Sequence, residues 1–216
     1  MNKLKLKDKI ISILTYVVFI LALWYTVWTI TGGDDSRGDL LIGISRQWYF
    51  SNQSNTLVVI ATGLFWLRLN DKKWFKYFAS IVATNIFITA TGYHFILQHP
   101  DGISFYGHLG HTYVPIAYIL WYFLSVKALK LKMFWINIIY PLTYLFLVIY
   151  VTKTWPLGEY PYGFLDPTDL AFNPDGINSV LRFTLTIMFP AYLFVAFLMT
   201  LLKSMIERKP KQISKK

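Results

Sequence analysis

Residues 48–60 read WYFSNQSNTLVVI, a run of polar side chains that leads directly into an apolar segment. Five consecutive residues, from Ser51 to Asn55, carry hydroxyl or amide groups, and Thr56 follows them. Polar groups are costly inside a lipid bilayer unless they are paired or serve a function. If the apolar segment crosses a membrane, the polar run therefore marks either a contact between helices or a site.

The composition of the chain indicates an all-α membrane protein. Of its 216 residues, 55% are hydrophobic and only 15% are charged, too few to cover a soluble bundle. The apolar residues fall into six blocks, each close to the roughly 20 residues that a helix needs to cross the hydrocarbon core. Backbone groups in that core must be satisfied within their own segment, so each block is predicted to be helical. The six predicted transmembrane helices span residues 10–30, 51–69, 77–97, 114–129, 134–151 and 179–202, in one domain covering residues 1–216.

The distribution of charge predicts the orientation in the cell membrane. Most of the 21 lysines and arginines lie before the first block and after the second, fourth and sixth blocks, whereas the other loops hold most of the acidic residues. The positive-inside rule therefore places both termini in the cytoplasm. The net charge of +10 is then explained by a cytoplasmic collar of solvated basic side chains facing anionic headgroups, and no nucleic-acid partner is implied. With no cysteine, the chain has no thiolate nucleophile and no disulfide.

This topology gathers polar side chains of several helices near the outer face. His94 lies close to the outer end of the third predicted helix, and His108 and His111 lie at the start of the fourth. His99 belongs to the same side, and Arg182 falls in the first turns of the sixth helix. Ionisable groups at the membrane edge are candidates for function, so the outer end is where a site is expected.

Each of these groups also has a simpler interpretation. The polar run at Ser51 could cap the second helix or hold helices together by hydrogen bonds. His94, His108 and His111 could form a three-histidine metal site, although no carboxylate stands beside them in the sequence. Arg182 could extend to the interface, pair with Asp166, or hold an anionic substrate.

Three motifs resemble those of a bacterial family of six-helix integral membrane proteins. They are YFSNQSN at residues 49–55, GHLGHTYVP at residues 107–115 and YPYGFLDP at residues 160–167. That family is similar to the androgen-induced protein family, whose members are membrane threonine hydrolases that cleave fatty acid esters of hydroxy fatty acids. The resemblance covers most of the chain in the order of the helices, and it implies a six-helix fold and lipid-ester hydrolysis.

The resemblance also implies roles for individual residues. The catalytic histidine of these hydrolases lies in a His-x-x-His-Thr-x-Val stretch, and the second histidine of that stretch matches His111. Their nucleophilic threonine follows an aromatic residue at the start of the second helix, where this chain has Ser51. Aligning instead on the acid or amide after that threonine points to Asn52, while Ser54 and Thr56 are further hydroxyl candidates. A motif in the last outer loop matches Tyr162, Phe164, Leu165 and Asp166, with Gly163 in place of its proline.

These implied roles predict a lipid-ester hydrolase or acyl-transfer enzyme. A hydroxyl becomes an effective nucleophile when a neighbouring base accepts its proton, and a histidine can do so near neutral pH. Helix-start amides would stabilise the oxyanion, and no cofactor or metal is required. The substrate would be a fatty-acyl ester drawn from the membrane lipids. The predicted site has Ser51 and His111 as the catalytic pair, Asn52, Gln53, Ser54, Asn55 and Asp166 as supporting residues, and His94, His108, Tyr162 and Arg182 as pocket residues.

Two other functions are compatible with the same residues. A small-molecule transporter or binding protein would use the polar pocket for an anionic ligand, with Arg182 as the counter-ion. A non-catalytic membrane partner protein would use the polar groups only to hold its helices together.

Overall fold

The computed structural model describes residues 3–32, 46–95, 102–152 and 160–207, and these residues form six helices and no strand. Two short 3₁₀ turns, Leu69–Asp71 and Gly163–Leu165, lie between helices. Three of the six helices change their winding along their length. The helices are α1 (Lys3–Ile30), α2 (Phe50–Trp66), α3 (Phe75–Phe95), α4 (Phe105–His108, a π turn at Leu109–Tyr113, then Val114–Ser125), α5 (a 3₁₀ segment at Leu131–Ile138, then Ile139–Thr152) and α6 (Ile177–Phe183, a π turn at Thr184–Met188, then Phe189–Glu207).

The predicted all-α fold is confirmed, and each predicted apolar block forms a helix. Within the described ranges, three helical stretches are long and apolar enough to cross a membrane: Lys5–Ile30, Leu131–Ile149 and Ile177–Glu207. The largest difference from the prediction is in α4, which begins at Phe105 instead of residue 114. The predicted start followed the first continuous apolar residues, but the helix continues through the preceding glycines and histidines by widening into a π turn.

The main core lies among the first four helices. α1 packs against α2 and α4, α3 packs between α2 and α4, and α6 contacts α3 and the first segment of α5. Large α4 side chains fill the centre, and the indole of Trp121 donates a hydrogen bond of 2.8 Å to Thr15 of α1. Small residues such as Ala22, Ala61 and Ala79 are fully buried, which allows the helices to approach closely.

A smaller apolar cluster holds the loop between α5 and α6 against the start of α2. Leu165 of that loop is buried beside Tyr144 and Val148 of α5 and Val180 of α6. Asn173 is also buried and organises the loop, since its side-chain amide donates to the carbonyls of residues 163 and 166 at 3.1 and 2.7 Å. Residues 160–176 of this loop therefore cover the first turn of α2.

Lys203 corrects the expectation that all basic residues of the cytoplasmic collar are solvated. Its side chain is only 2% exposed, and its Nζ donates to the Phe123 carbonyl at 2.7 Å. It also pairs with Glu207 at 2.8 Å, while the other carboxylate oxygen of Glu207 accepts from the Ala128 amide at 3.0 Å. The last carbonyls of a helix have no partner within the helix. Lys203 provides that partner for the Phe123 carbonyl in the last turn of α4.

Candidate functional site

The polar run at the start of α2 does not cap the helix. The N-cap residue is Tyr49, and its side chain makes no capping hydrogen bond. Instead, Asn52 accepts a hydrogen bond of 2.9 Å from the Tyr25 hydroxyl of α1 and donates one of 2.8 Å to the Arg46 carbonyl. Gln53 accepts a hydrogen bond of 2.6 Å from the Tyr140 hydroxyl of α5. The interpretation of the run as a connection between helices is therefore confirmed for these two amides.

Asn55 connects the first turn of α2 to the π turn of α4. Its Nδ2 donates to the Ser51 carbonyl at 2.9 Å and to the Gly110 carbonyl at 3.1 Å. The residue is fully buried, and its Oδ1 has no hydrogen-bond partner among the described residues. Ser54, by contrast, donates to the Phe50 carbonyl of its own helix at 2.7 Å and makes no side-chain hydrogen bond to another described helix. Asn55 is thus the residue that places Ser51 and His111 in neighbouring turns.

His111 is buried within the π turn and held in a defined tautomer. Its Nδ1 lies 3.0 Å from the Gly107 carbonyl, and a carbonyl can only accept, so Nδ1 carries the hydrogen. In the neutral ring Nε2 is then the basic nitrogen. The imidazole stacks on Tyr93 with ring centroids 3.7 Å apart and meets the edge of Tyr25 at 6.1 Å. π turns are frequent at functional sites, and this one sets the position of a histidine.

Thr112 is the functional candidate that the sequence did not reveal. Its Oγ1 lies 2.8 Å from His94 Nε2 and 3.3 Å from His108 Nδ1, so one hydroxyl sits between two imidazoles. The two rings have centroids 6.3 Å apart. His108 and Thr112 are four residues apart on one helix, and this spacing in the sequence predicts that they share a face. The approach of His94 from α3 depends on how α3 and α4 pack. We call these three residues the His–Thr–His cluster.

Ser51 is half-buried and faces the loop that covers α2. Burial raises the pKa of the Tyr162 phenol, while hydrogen bonding with the Ser51 side chain opposes that rise. The Tyr162 ring stacks on Phe164 at 5.2 Å and meets Tyr49 edge to face at 5.5 Å. The turn that carries Ser51 is linked to the π turn through Asn55, whose amide donates to the Ser51 and Gly110 carbonyls.

Asp166 and Arg182 each bond to a neighbouring residue of the chain and not to each other within the described part of the structure. Asp166 accepts hydrogen bonds from the backbone and the hydroxyl of Thr168 at 2.8 and 2.7 Å, which closes a turn within its own loop. Arg182 pairs with Asp175 at 3.1 Å instead of Asp166, and both side chains of that pair are more than half exposed. An exposed pair of this kind contributes little to stability, so Arg182 remains accessible to solvent.

The three histidines proposed as metal ligands do not converge in the described part of the chain. His94 and His108 meet at Thr112, whereas the Nδ1 of His111 is directed at Gly107. No group of three or more metal-ligating side chains is found among the described residues, and His99 lies outside them.

Comparison of the chain with protein-family models, with curated proteins and with solved structures finds no match.

Proposed function

We propose that this chain is a multi-pass membrane enzyme that hydrolyses lipid esters or transfers their acyl groups, with its site at the outer end of the bundle and both termini in the cytoplasm. The observation that carries the proposal is the 2.8 Å contact between the Thr112 hydroxyl and His94 Nε2. A hydroxyl and a base within about 2.6–3.2 Å form the basic unit of nucleophilic acyl transfer.

The proton positions in the His–Thr–His cluster suit this chemistry. A hydroxyl has one proton and can donate it to only one imidazole, and the shorter contact is to His94. His108 Nδ1 is then the donor to Thr112 Oγ1, which fixes the direction of the hydroxyl. His108 is a positioning residue in this scheme, and His94 is the base.

The reaction proceeds in two balanced steps. Thr112 Oγ1 attacks the ester carbonyl carbon while His94 takes the hydroxyl proton, and the alcohol leaves with that proton as its bond to the acyl carbon breaks. Water then attacks the acyl–threonine ester, with His94 again accepting and returning a proton, which releases a carboxylic acid. An alcohol in place of water would give acyl transfer.

The surroundings of the cluster favour a lipid substrate. Phe95 is 85% exposed at the end of α3, and Tyr113 and Ile116 are exposed on α4 close to Thr112 in the sequence. Exposed apolar side chains next to a polar group suit a molecule with a polar head and an acyl chain.

Ser51 and His111 are the second candidate pair for the same reaction. The resemblance to the membrane threonine hydrolases points to them, and His111 has the tautomer that a general base needs. The hydrogen bonds of Asn55 link their two turns, whereas the Thr112 hydroxyl lies within hydrogen-bond distance of His94 Nε2 itself, which favours the His–Thr–His cluster.

A fluorophosphonate probe tests the function and identifies the nucleophile. The full chain in lipid nanodiscs would be treated with the probe, and peptide mass spectrometry would locate the adduct. We expect the adduct on Thr112, its loss in Thr112→Val, its retention in Thr112→Ser, and a fall in labelling rate of at least about 10²-fold in His94→Ala.

The matched control is Thr91→Val, because the partners of the Thr91 hydroxyl among the described residues are two carbonyls of its own helix. An adduct on Ser51 that is lost in His111→Ala would instead identify Ser51 and His111 as the catalytic pair. Absence of any adduct, together with no release of fatty acid from an ester supplied in the nanodisc, would overturn the enzymatic proposal.

A further inference from the structure

A cleft of about 210 Å³ lies at the other end of the bundle from the His–Thr–His cluster. It is formed by the turn between α2 and α3 and by the residues that follow α4. Four lysines line it: Lys72, Lys73, Lys76 and Lys127. None of these lysines forms an ion pair within the described part of the chain, so their charge is available to a ligand.

The electrostatics of the cleft favour an anion. Asp71 is the one carboxylate among its lining residues, against four ammonium groups. α3 begins at Phe75 in the wall of the cleft, and its first turn contains no acidic residue. The amino end of a helix carries a partial positive charge and unpaired N–H groups, which bind phosphate and similar anions.

A buried polar atom in the same wall also lacks a partner. The hydroxyl oxygen of Ser125, at the end of α4, is inaccessible and makes no hydrogen bond with any described residue. This hydroxyl is enclosed by protein atoms, so the groups that line the open part of the cleft are the lysines and the start of α3.

Apolar side chains beside the cleft indicate where such an anion comes from. Leu67 is 71% exposed on one side of the turn, and Trp74 is 47% exposed on the other. Tryptophan and exposed leucine next to lysines are typical of the boundary between headgroups and hydrocarbon. A free phosphate would make no use of these side chains, whereas the acyl chains of a phospholipid would cover them.

We infer that this cleft is a binding site for the phosphate group of an anionic phospholipid. It differs from the general attraction of a basic collar to a charged surface, because four lysines and the start of α3 line one cleft. The inference does not depend on the proposed enzymatic function.

Lipid titration of the full chain in neutral detergent at constant ionic strength tests this inference. Native mass spectrometry would count bound phosphatidylglycerol, with phosphatidylcholine as the neutral comparison and inorganic phosphate as the free anion. We expect retained phosphatidylglycerol and no retained phosphatidylcholine. The double variant Lys72→Gln/Lys73→Gln should weaken phosphatidylglycerol binding by about tenfold or more.

The matched control is Lys130→Gln/Lys132→Gln, which removes the same charge from exposed lysines that do not line the cleft. If both double variants weaken phosphatidylglycerol binding equally, the lipid is attracted by the overall positive charge, and the inference of a specific site is wrong. Inorganic phosphate that displaces the lipid at equal concentration would show that the acyl chains contribute nothing, and would overturn the lipid assignment.

Discussion

Asn55 shows how one buried amide can organise two turns that come from distant parts of the chain. Its two donated hydrogen bonds reach the carbonyls of Ser51 and Gly110, so it fixes the start of α2 against the π turn of α4. The sequence indicated that the polar run was important but left three uses for it open: a cap for the second helix, a connection between helices, or a site. The structure uses most of the run for connections and leaves Ser51 facing Tyr162.

Replacement of Asn55 should destabilise the protein more than replacement of its neighbour. Asn55→Ala removes the bond between helices and leaves the Gly110 carbonyl buried without that donor, a loss of about 1–2 kcal/mol. Ser54→Ala is the control, because Ser54 makes no side-chain hydrogen bond to another described helix. Thermal unfolding in one lipid environment should show a Tm lower by about 2–4 °C per kcal/mol for Asn55→Ala. Equal Tm values for the two variants would contradict this role.

The π turn of α4 is the element that assembles the candidate site. It places His111 against Tyr93 and Thr112 against His94. It also places Gly110 against Tyr25 of α1. A Cβ at position 110 would lie 2.3 Å from the Tyr25 ring, and that ring is buried and hydrogen-bonded to Asn52. The glycine is therefore required by close approach of two helices.

Gly110→Ala should lower stability, and a second glycine provides the control. Forcing a methyl group into the Tyr25 ring is expected to cost about 1–3 kcal/mol or more, because the ring cannot move without breaking its bond to Asn52. A Cβ on Gly92 in α3 meets no atom within 4 Å, so Gly92→Ala should be neutral or stabilising by up to about 1 kcal/mol. The measurement is the Tm of each variant in the same lipid environment, and we expect a lower Tm for Gly110→Ala than for Gly92→Ala. A Gly110→Ala protein as stable as Gly92→Ala would contradict the close packing.

At the scale of the whole molecule, the two ends of the bundle differ in chemistry. One end carries His94, His108, His111 and the covering loop, and the other carries the lysine-lined cleft and the Lys203–Glu207 pair. This separation follows the alternation of charge along the chain, and it is the basis for proposing that the lysine end is cytoplasmic.

Accessibility of introduced cysteines tests that orientation without a background signal, because the chain contains no cysteine. Asn70→Cys and Lys130→Cys lie on exposed positions at the lysine end, and Ala171→Cys lies on the exposed covering loop. In intact cells a membrane-impermeant maleimide should label Ala171→Cys alone, and all three should react after permeabilisation. Labelling of Lys130→Cys in intact cells would reverse the proposed topology.

The sequence by itself determined the helical fold, the approximate limits of the helices and the end of the bundle at which histidines gather. These properties depend on local runs of apolar residues and on charge between them, so they can be read without knowing which helices touch. Only the tertiary structure decided the partners: Tyr25 for Asn52, Gly110 for Asn55, and His94 for Thr112. Each of those contacts joins residues from different helices, and it exists only because particular helix faces pack together. The burial of Lys203 also depends on helix packing, because its ammonium group is enclosed where α6 meets the Phe123 carbonyl of α4.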